Sequence, residues 1–262
     1  MKIMEVLSLE GKTALVTGGA GRYGRQIVEA LAEAGAETYV ASRNLSELEK
    51  FAVQCRDCGL KVIARQLDLA DEASISALRD DIIRRSGKCE ILVNNAVTRS
   101  ACSGWKHPLA EFDASLHVNA SAMFLITQLF AEEMKKRQCG SIINIGSMMG
   151  LTGIEMANYA NTPMVVDPSP IYFYEKGGMV NFTRWAASVL GTDHIRVNCI
   201  APGGLYTPDL PDQFVKNYSA RTQLGRMAND SDLKGLIVLL ASDASAYITG
   251  TTIPVDGGYT AK

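Results

Sequence analysis

The chain is poor in histidine, with three in 262 residues. His107, His117 and His194 share no ligand spacing, so no metal site is expected from them. Its six cysteines are irregularly placed, which does not fit the disulfide framework of a small secreted domain. Cys55-Arg-Asp-Cys58 has a metal or redox spacing, but no second pair completes a zinc site. It also closes a predicted helix, whereas a reactive pair of the thioredoxin type opens one. No run reaches the roughly 18 uninterrupted apolar residues of a membrane helix; Leu236–Ala241 is among the longest. The segment before Lys12 lacks the apolar region and cleavage site of a signal peptide. The expectation is a cytoplasmic protein with reduced thiols and no membrane partner. Net charge is −2 and aromatics are only 7%, with no basic–aromatic stripe, so a nucleic-acid partner is not expected either. With 47% hydrophobic residues, disorder is excluded and a sizeable core is available.

What is present is rhythm. Short apolar runs alternate with helical periodicity: Lys12–Thr17, Thr38–Ser42, Lys61–Leu67, Glu90–Asn94, Ser141–Ser147, His194–Ile200 and Thr251–Val255 read as strands. Between them, helices are predicted from Ile27 onward, over Leu45–Cys58, Asp71–Ser86, Leu109–Arg137, Tyr172–Leu190 and Leu233–Ala241. Strands joined through helices demand crossovers. The predicted fold is therefore a single α/β domain over 1–262, a doubly wound parallel sheet of the Rossmann type with about seven strands and helices on both faces. Two stretches break the rhythm with prolines, 148–171 and 202–230. Long connections in a compact α/β domain are usually functional, and both are expected on the substrate side.

The first strand runs into Gly18-Gly-Ala-Gly21-Arg22-Tyr23-Gly24 and then a helix. Strand, glycines and helix make a pyrophosphate site, because glycine lets backbone approach the ligand and helix N–H groups face its charge. The second strand ends in Ala41-Ser42-Arg43, without the acid that an NAD site usually offers the ribose. A guanidinium instead suits a 2′-phosphate. Arg43, with Arg22 in the loop, points to NADP(H) as the preferred cofactor, with NAD(H) as the alternative.

Tyr172-Phe-Tyr-Glu-Lys176 sets a phenol and an ammonium one helical turn apart on a shared face. A phenol with an ordinary pKa near 10 shuttles protons poorly, and a neighbouring cation favours its phenolate. Tyr172 is thus a candidate general acid/base. Ser147, at the end of the fifth strand, lies where such sheets bind ligands.

Taken with Thr17-Gly18, Asp68-Leu69, Asn94-Asn95-Ala96, Asn119, Arg196-Val-Asn198, Pro202-Gly203 and Asp256-Gly257-Gly258, these residues resemble the short-chain dehydrogenase/reductase family in its single-domain form, 3-oxoacyl reductases among its members. The resemblance runs along nearly the whole chain. It implies that Tyr172 moves the substrate proton, that Lys176 holds the nicotinamide ribose, and that Ser147 orients the carbonyl oxygen. It implies that Asn119 holds a relay water behind Lys176. Asp68 and Leu69 would flank the adenine, Asn95 and Ala96 would line the adenosine side, and Pro202, Leu205 and Thr207 would border the nicotinamide. Asp68 reads equally well as a helix cap. Asn198 reads as architectural. The resemblance also implies a homo-oligomer, tetramer or dimer, paired through the Leu109–Arg137 and Tyr172–Leu190 helices, with the last strand at a second interface.

The sequence departs from the family pattern in three places. The loop spacing is Thr17-Gly18-x-x-Gly21-x-x-Gly24, the connection between Ser147 and Tyr172 is long, and the residues beside Tyr172 are bulky. The expected activity is hydride transfer between NADP(H) and a small-molecule carbonyl or secondary alcohol. The alternatives are a sugar or sugar-acid dehydrogenase and a noncatalytic dinucleotide-binding regulator. The connection combines Met148, Met149, Met156, Tyr159, Met164, Val165 and Val166 with Asn158, Asn161 and Asp167. It is expected to act as a substrate lid, with packing against a neighbouring subunit as the alternative.

Overall fold

A computed structural model describes residues 2–99, 104–164 and 169–261. Val165, Val166, Asp167 and Pro168 of the long connection lie outside the described residues. In chain order the elements are α1 (Ile3–Leu7), β1 (Thr13–Thr17), α2 (Gly24–Glu33), β2 (Glu37–Ser42), α3 (Leu45–Asp57), β3 (Val62–Gln66), α4 (Glu72–Ser86) and β4 (Ile91–Asn94). Then follow α5 (Leu109–Leu116), a π-turn (His117–Ser121), α6 (Ala122–Lys135), β5 (Gly140–Ile145), α7 (Pro170–Leu190), β6 (Ile195–Pro202), α8 (Asp212–Ser219), α9 (Lys234–Ala241) and β7 (Thr252–Val255).

The seven strands form one sheet in the order β3-β2-β1-β4-β5-β6-β7, and every pair is parallel. The order reverses between β1 and β4, which opens a crevice at the strands' C-terminal ends. One face is covered by Ile27 and Leu31 of α2, Leu48 and Phe51 of α3, and Ile237 and Leu240 of α9. The other is covered by Ile75 and Ile82 of α4, Ile126 and Phe130 of α6, and Ala186 and Leu190 of α7. The stretch Leu109–Lys135 is apolar and long enough, by composition, to cross a membrane. Ile126, Phe130 and Met134 are nevertheless buried against the sheet, as in a core helix.

The expected single helix Leu109–Arg137 is interrupted by the π-turn. One residue too many is accommodated by a wider turn, a feature found mostly at functional sites. In the 202–230 stretch, which reads as a proline-rich connection, Pro211 opens α8. This short helix buries Phe214 and Tyr218 in a third apolar cluster with Met148, Met227 and Tyr259. That cluster ties the two irregular stretches together over the crevice. The cap of α4 is Asp71, which accepts from Ala73 N at 2.9 Å. Asp68 instead closes its own turn by accepting from Ala70 N at 2.9 Å.

Candidate active site

A cleft of about 1130 Å³ runs across the C-terminal ends of the central strands. At one end sits the glycine loop. Gly18 has φ +67, and a Cβ there would stand 2.8 Å from Ala96 Cα, so this left-handed position admits only glycine. Gly24 opens α2 against the backbone of Gly18 and Gly19, and a side chain would not fit between them. The loop is stapled to β4: Asn95 Nδ2 donates to Thr17 O at 3.0 Å and Gly18 O at 2.9 Å. Thr17 Oγ1 accepts from Asn95 N at 3.1 Å and Ala96 N at 3.0 Å. Asn95 thus lines the cleft while its amide holds the loop. Tyr23 is drawn in the same way, donating to Gly203 O at 2.8 Å and bridging the loop to the end of β6. Burial and nearby acidic groups push its phenol upward. Arg22 and Arg43 are exposed on the cleft rim, and Asp68 and Leu69 form the adjoining wall.

At the other end, Ser147 leaves β5 buried and caps a short turn, its Oγ accepting from Met149 N at 3.1 Å. Tyr172 stands in the first turn of α7, started by Pro170, whose missing N–H costs nothing at that position. Lys176 follows one turn later. It is only 5% exposed, donates to Ile145 O at 2.8 Å, and holds its Nζ 5.8 Å from the centre of the Tyr172 ring. Burial pulls this ammonium down to about 8, against the opposing pull of Cys199 and Glu175, and Arg99 lowers it further. The Arg99 guanidinium lies over the Tyr172 ring, 5.6 Å from its centre.

Asn119 is buried in the π-turn, and its side chain is fully used. Its Oδ1 accepts from Thr98 N at 2.8 Å. Its Nδ2 donates to Thr98 O at 2.8 Å, Ser115 Oγ at 3.1 Å and Glu175 Oε2 at 3.0 Å. Of the residues singled out in the sequence, Gly18, Gly21, Arg22, Tyr23, Arg43, Asp68, Leu69, Asn95, Ala96, Ser147, Tyr172, Lys176, Pro202 and Leu205 line the cleft; Gly24, Asn119 and Thr207 do not.

The apolar wall at the Tyr172 end is built by Met148, Met149, Tyr159 and Met164 of the long connection together with Leu210 and Phe214 of the 202–230 stretch, the two stretches expected on the substrate side. What the sequence does not reveal is the bridge made by Tyr218, whose hydroxyl accepts from Gly204 N at 2.5 Å and donates to Met148 Sδ at 3.3 Å. Burial raises that phenol to about 12, so it remains a neutral donor. Methionines and aromatics in loops carry no local signal of which cavity they face.

Comparison with known proteins decides the family. A family model described as enoyl-(acyl carrier protein) reductase matches residues 22–260. The 3-oxoacyl-[acyl-carrier-protein] reductase of Thermotoga maritima is 31% identical over 257 residues, covering 96% of this chain and 99% of its own length. A short-chain type dehydrogenase/reductase from Mycobacterium marinum has a TM-score of 0.88 at 30% identity, with 100% of both chains covered. This chain belongs to the short-chain dehydrogenase/reductase family. It shares that family's oxidoreductase character and its seven-stranded fold. Another similar short-chain dehydrogenase/reductase structure is a gluconate 5-dehydrogenase from Burkholderia cenocepacia in complex with NADP and tartrate, with a TM-score of 0.87 at 28% identity over 100% of both chains. A tropinone reductase homolog of Arabidopsis thaliana is 34% identical over 263 residues, covering 97% of this chain and 94% of that one.

Proposed function

We propose that this short-chain dehydrogenase/reductase interconverts a carbonyl compound bearing apolar groups and its secondary alcohol, using NADP(H). The observation that carries this reading is one continuous cleft with the Tyr172–Lys176 pair and Ser147 at one end and Arg22 and Arg43 at the other. The glycine loop fits a dinucleotide, because Gly18 packed on Ala96 and Gly24 packed on Gly18 and Gly19 keep the turn tight and bring its backbone to the start of α2, where a diphosphate is received. Bound there, the nicotinamide supplies or accepts the hydride.

In the reductive direction Ser147 Oγ hydrogen-bonds the carbonyl oxygen and holds it toward Tyr172. The Tyr172 hydroxyl donates its proton to that oxygen as negative charge develops on it. Lys176, cationic below about 8, steadies the phenolate left behind. Asn119 has no side-chain donor to spare. Its side chain is therefore spent on Thr98, Ser115 and Glu175 and does not hold the relay water that the family resemblance implies. Asp68, Leu69 and Ala96 receive the adenosine half, and Pro202 and Leu205 border the nicotinamide, whereas Thr207 stands outside the cleft lining.

Both Tyr172 and Lys176 are in place, which favours an enzyme over a noncatalytic regulator. A polyol or sugar acid calls for a row of polar partners, whereas the described wall beside Tyr172 is mainly methionine, leucine and aromatic side chains. The 148–171 and 202–230 stretches form that wall jointly, as a substrate-side enclosure.

Two expected results follow from the rim and the helical face. Arg43→Ala weakens NADPH binding by about 1.5–3 kcal/mol, roughly 10- to 150-fold, and leaves NADH nearly unchanged. Titration of both cofactors measures this; an equal loss for the two removes Arg43 from the 2′-phosphate. Phe124, Phe182 and Trp185 make an aromatic patch across α6 and α7, with Phe182 and Trp185 stacked at 5.7 Å. Half-exposed Phe124 and Trp185 are the core of a homo-oligomer interface. Light scattering is expected to give a dimer or tetramer, and Trp185→Glu a smaller species; a monomeric wild type at micromolar concentration contradicts the assignment.

A further inference from the structure

The bulky residues beside Tyr172 include a carboxylate that the chemistry above does not use. Glu175 is 7% exposed, immediately before Lys176 on α7. Successive side chains on a helix point in different directions. Lys176 reaches β5, while Glu175 faces α5 and the π-turn. Both of its oxygens are engaged by neutral donors: Ser115 Oγ donates to Oε1 at 2.7 Å, and Asn119 Nδ2 donates to Oε2 at 3.0 Å. Among the described residues no ion pair reaches it. A carboxylate buried on neutral hydrogen bonds alone is costly, and an apolar residue would pack there at less expense.

Two features answer that cost. Asn119 clamps both backbone groups of Thr98. Thr98 and its neighbours Val97 and Arg99 floor the catalytic end of the cleft. Glu175 thereby locks the catalytic helix, the π-turn and the cleft floor into one unit. Although the two side chains point apart, the charge of Glu175 acts on buried Lys176 in the direction that favours its ammonium.

We infer that Glu175 is a positioning residue: its buried carboxylate fixes the Asn119–Thr98 clamp against the helix that carries Tyr172 and Lys176. This rests on the proposed Tyr172–Lys176 chemistry. Other charged or titratable groups on the elements packed around this corner are Tyr172 and Tyr174 on α7, Arg99 after β4, Glu111 and Asp113 on α5, His117 in the π-turn, and Cys199 on β6. Of these, Arg99 acts on Lys176 against Glu175, and Cys199 acts with it.

The sign follows directly. Burial already pulls Lys176 down to about 8. With Glu175 neutralised, the ammonium loses its proton at lower pH, so the high-pH limb of the reductive rate moves down.

The test is Glu175→Gln. Its NADPH-dependent kcat is expected to fall about twofold at pH 7 and about tenfold above the limb, with KM for the carbonyl within about twofold, as the high-pH limb moves down by about one unit. Glu175→Asp keeps the charge while shortening the reach to Asn119; the limb should stay where it is in wild type while kcat falls. Titration of the ammonium by ¹⁵N-lysine NMR in the cofactor-free protein reads the same shift without turnover. A Glu175→Gln limb and NMR midpoint that stay in place, with kcat and melting temperature falling together, reduce Glu175 to a packing residue and overturn the inference. So does a Glu175→Asp limb that moves down, which decides the matter if Glu175→Gln does not fold. A wild type inert toward every carbonyl would sink the proposed function, while the NMR comparison would still decide the role of Glu175.

Discussion

Tyr172→Phe is expected to lower kcat by about 10²- to 10⁴-fold in both directions while NADPH binds within a few-fold of wild type. The substitution removes one oxygen. The phenyl ring, its place in the first turn of α7, and its contact with the Arg99 guanidinium all remain. Among the described residues, the two polar neighbours of Tyr172 do not replace the lost proton. Ser147 is a poor acid whose Oγ already caps the following turn. Lys176 is turned toward Ile145 O, with its nitrogen 5.8 Å from the Tyr172 ring centre. Most of the proposed cofactor contacts lie at the opposite end of the cleft, so affinity and turnover should separate. Stopped-flow reduction together with NADPH titration measures both. Retention of more than about a tenth of wild-type kcat removes Tyr172 from proton transfer.

The second large effect is expected away from any polar group. Gly150 ends the turn that Ser147 caps, and it lies directly on the backbone of the catalytic helix. A Cβ at this position would stand 2.5 Å from Lys176 O and 2.7 Å from Lys176 C. Those atoms belong to a helix backbone and cannot rotate away. Gly150→Val therefore forces α7 and the Ser147 turn apart. Overpacking of this kind costs about 1–3 kcal/mol, roughly a 2–12 °C drop in melting temperature for a chain of this size. A displacement of about 1 Å between Ser147 and Tyr172 costs about 100-fold in kcat. NADPH affinity is expected to change less, since the glycine loop is remote. Wild-type kcat in Gly150→Val would show that the spacing of these two segments is not critical.

Much of this architecture is written in the sequence, and the reasons differ by element. The strands are legible because buried parallel strands read as continuous apolar runs, as Ile91–Asn94 and Gly140–Ile145 do. The Tyr172–Lys176 pair is legible because a helix fixes the relation between positions one turn apart. Features set by tertiary contact are not legible. The π-turn at Asn119 depends on Glu175 and Thr98, which are remote in sequence. Helix α8 is short and surrounded by prolines, and it exists because Phe214 and Tyr218 find Met148, Met227 and Tyr259. Asp68 and Asp71 look alike as caps, and only the hydrogen bonds distinguish them. Tyr23 in the glycine loop reads as a cofactor contact, yet its hydroxyl is spent on Gly203.

The central claim is that one cleft carries hydride and proton to the same carbonyl group. The most direct measurement is label transfer: NADPH deuterated at nicotinamide C4, on either face, is incubated with a panel of aryl and alkyl ketones, and the alcohols are analysed by mass spectrometry. The account predicts a single deuterium on the carbinol carbon from one labelled face only, with Tyr172→Phe giving almost no labelled alcohol over the same time. NADPH that binds tightly but delivers no deuterium to any carbonyl, or label transfer that survives undiminished in Tyr172→Phe, would contradict it.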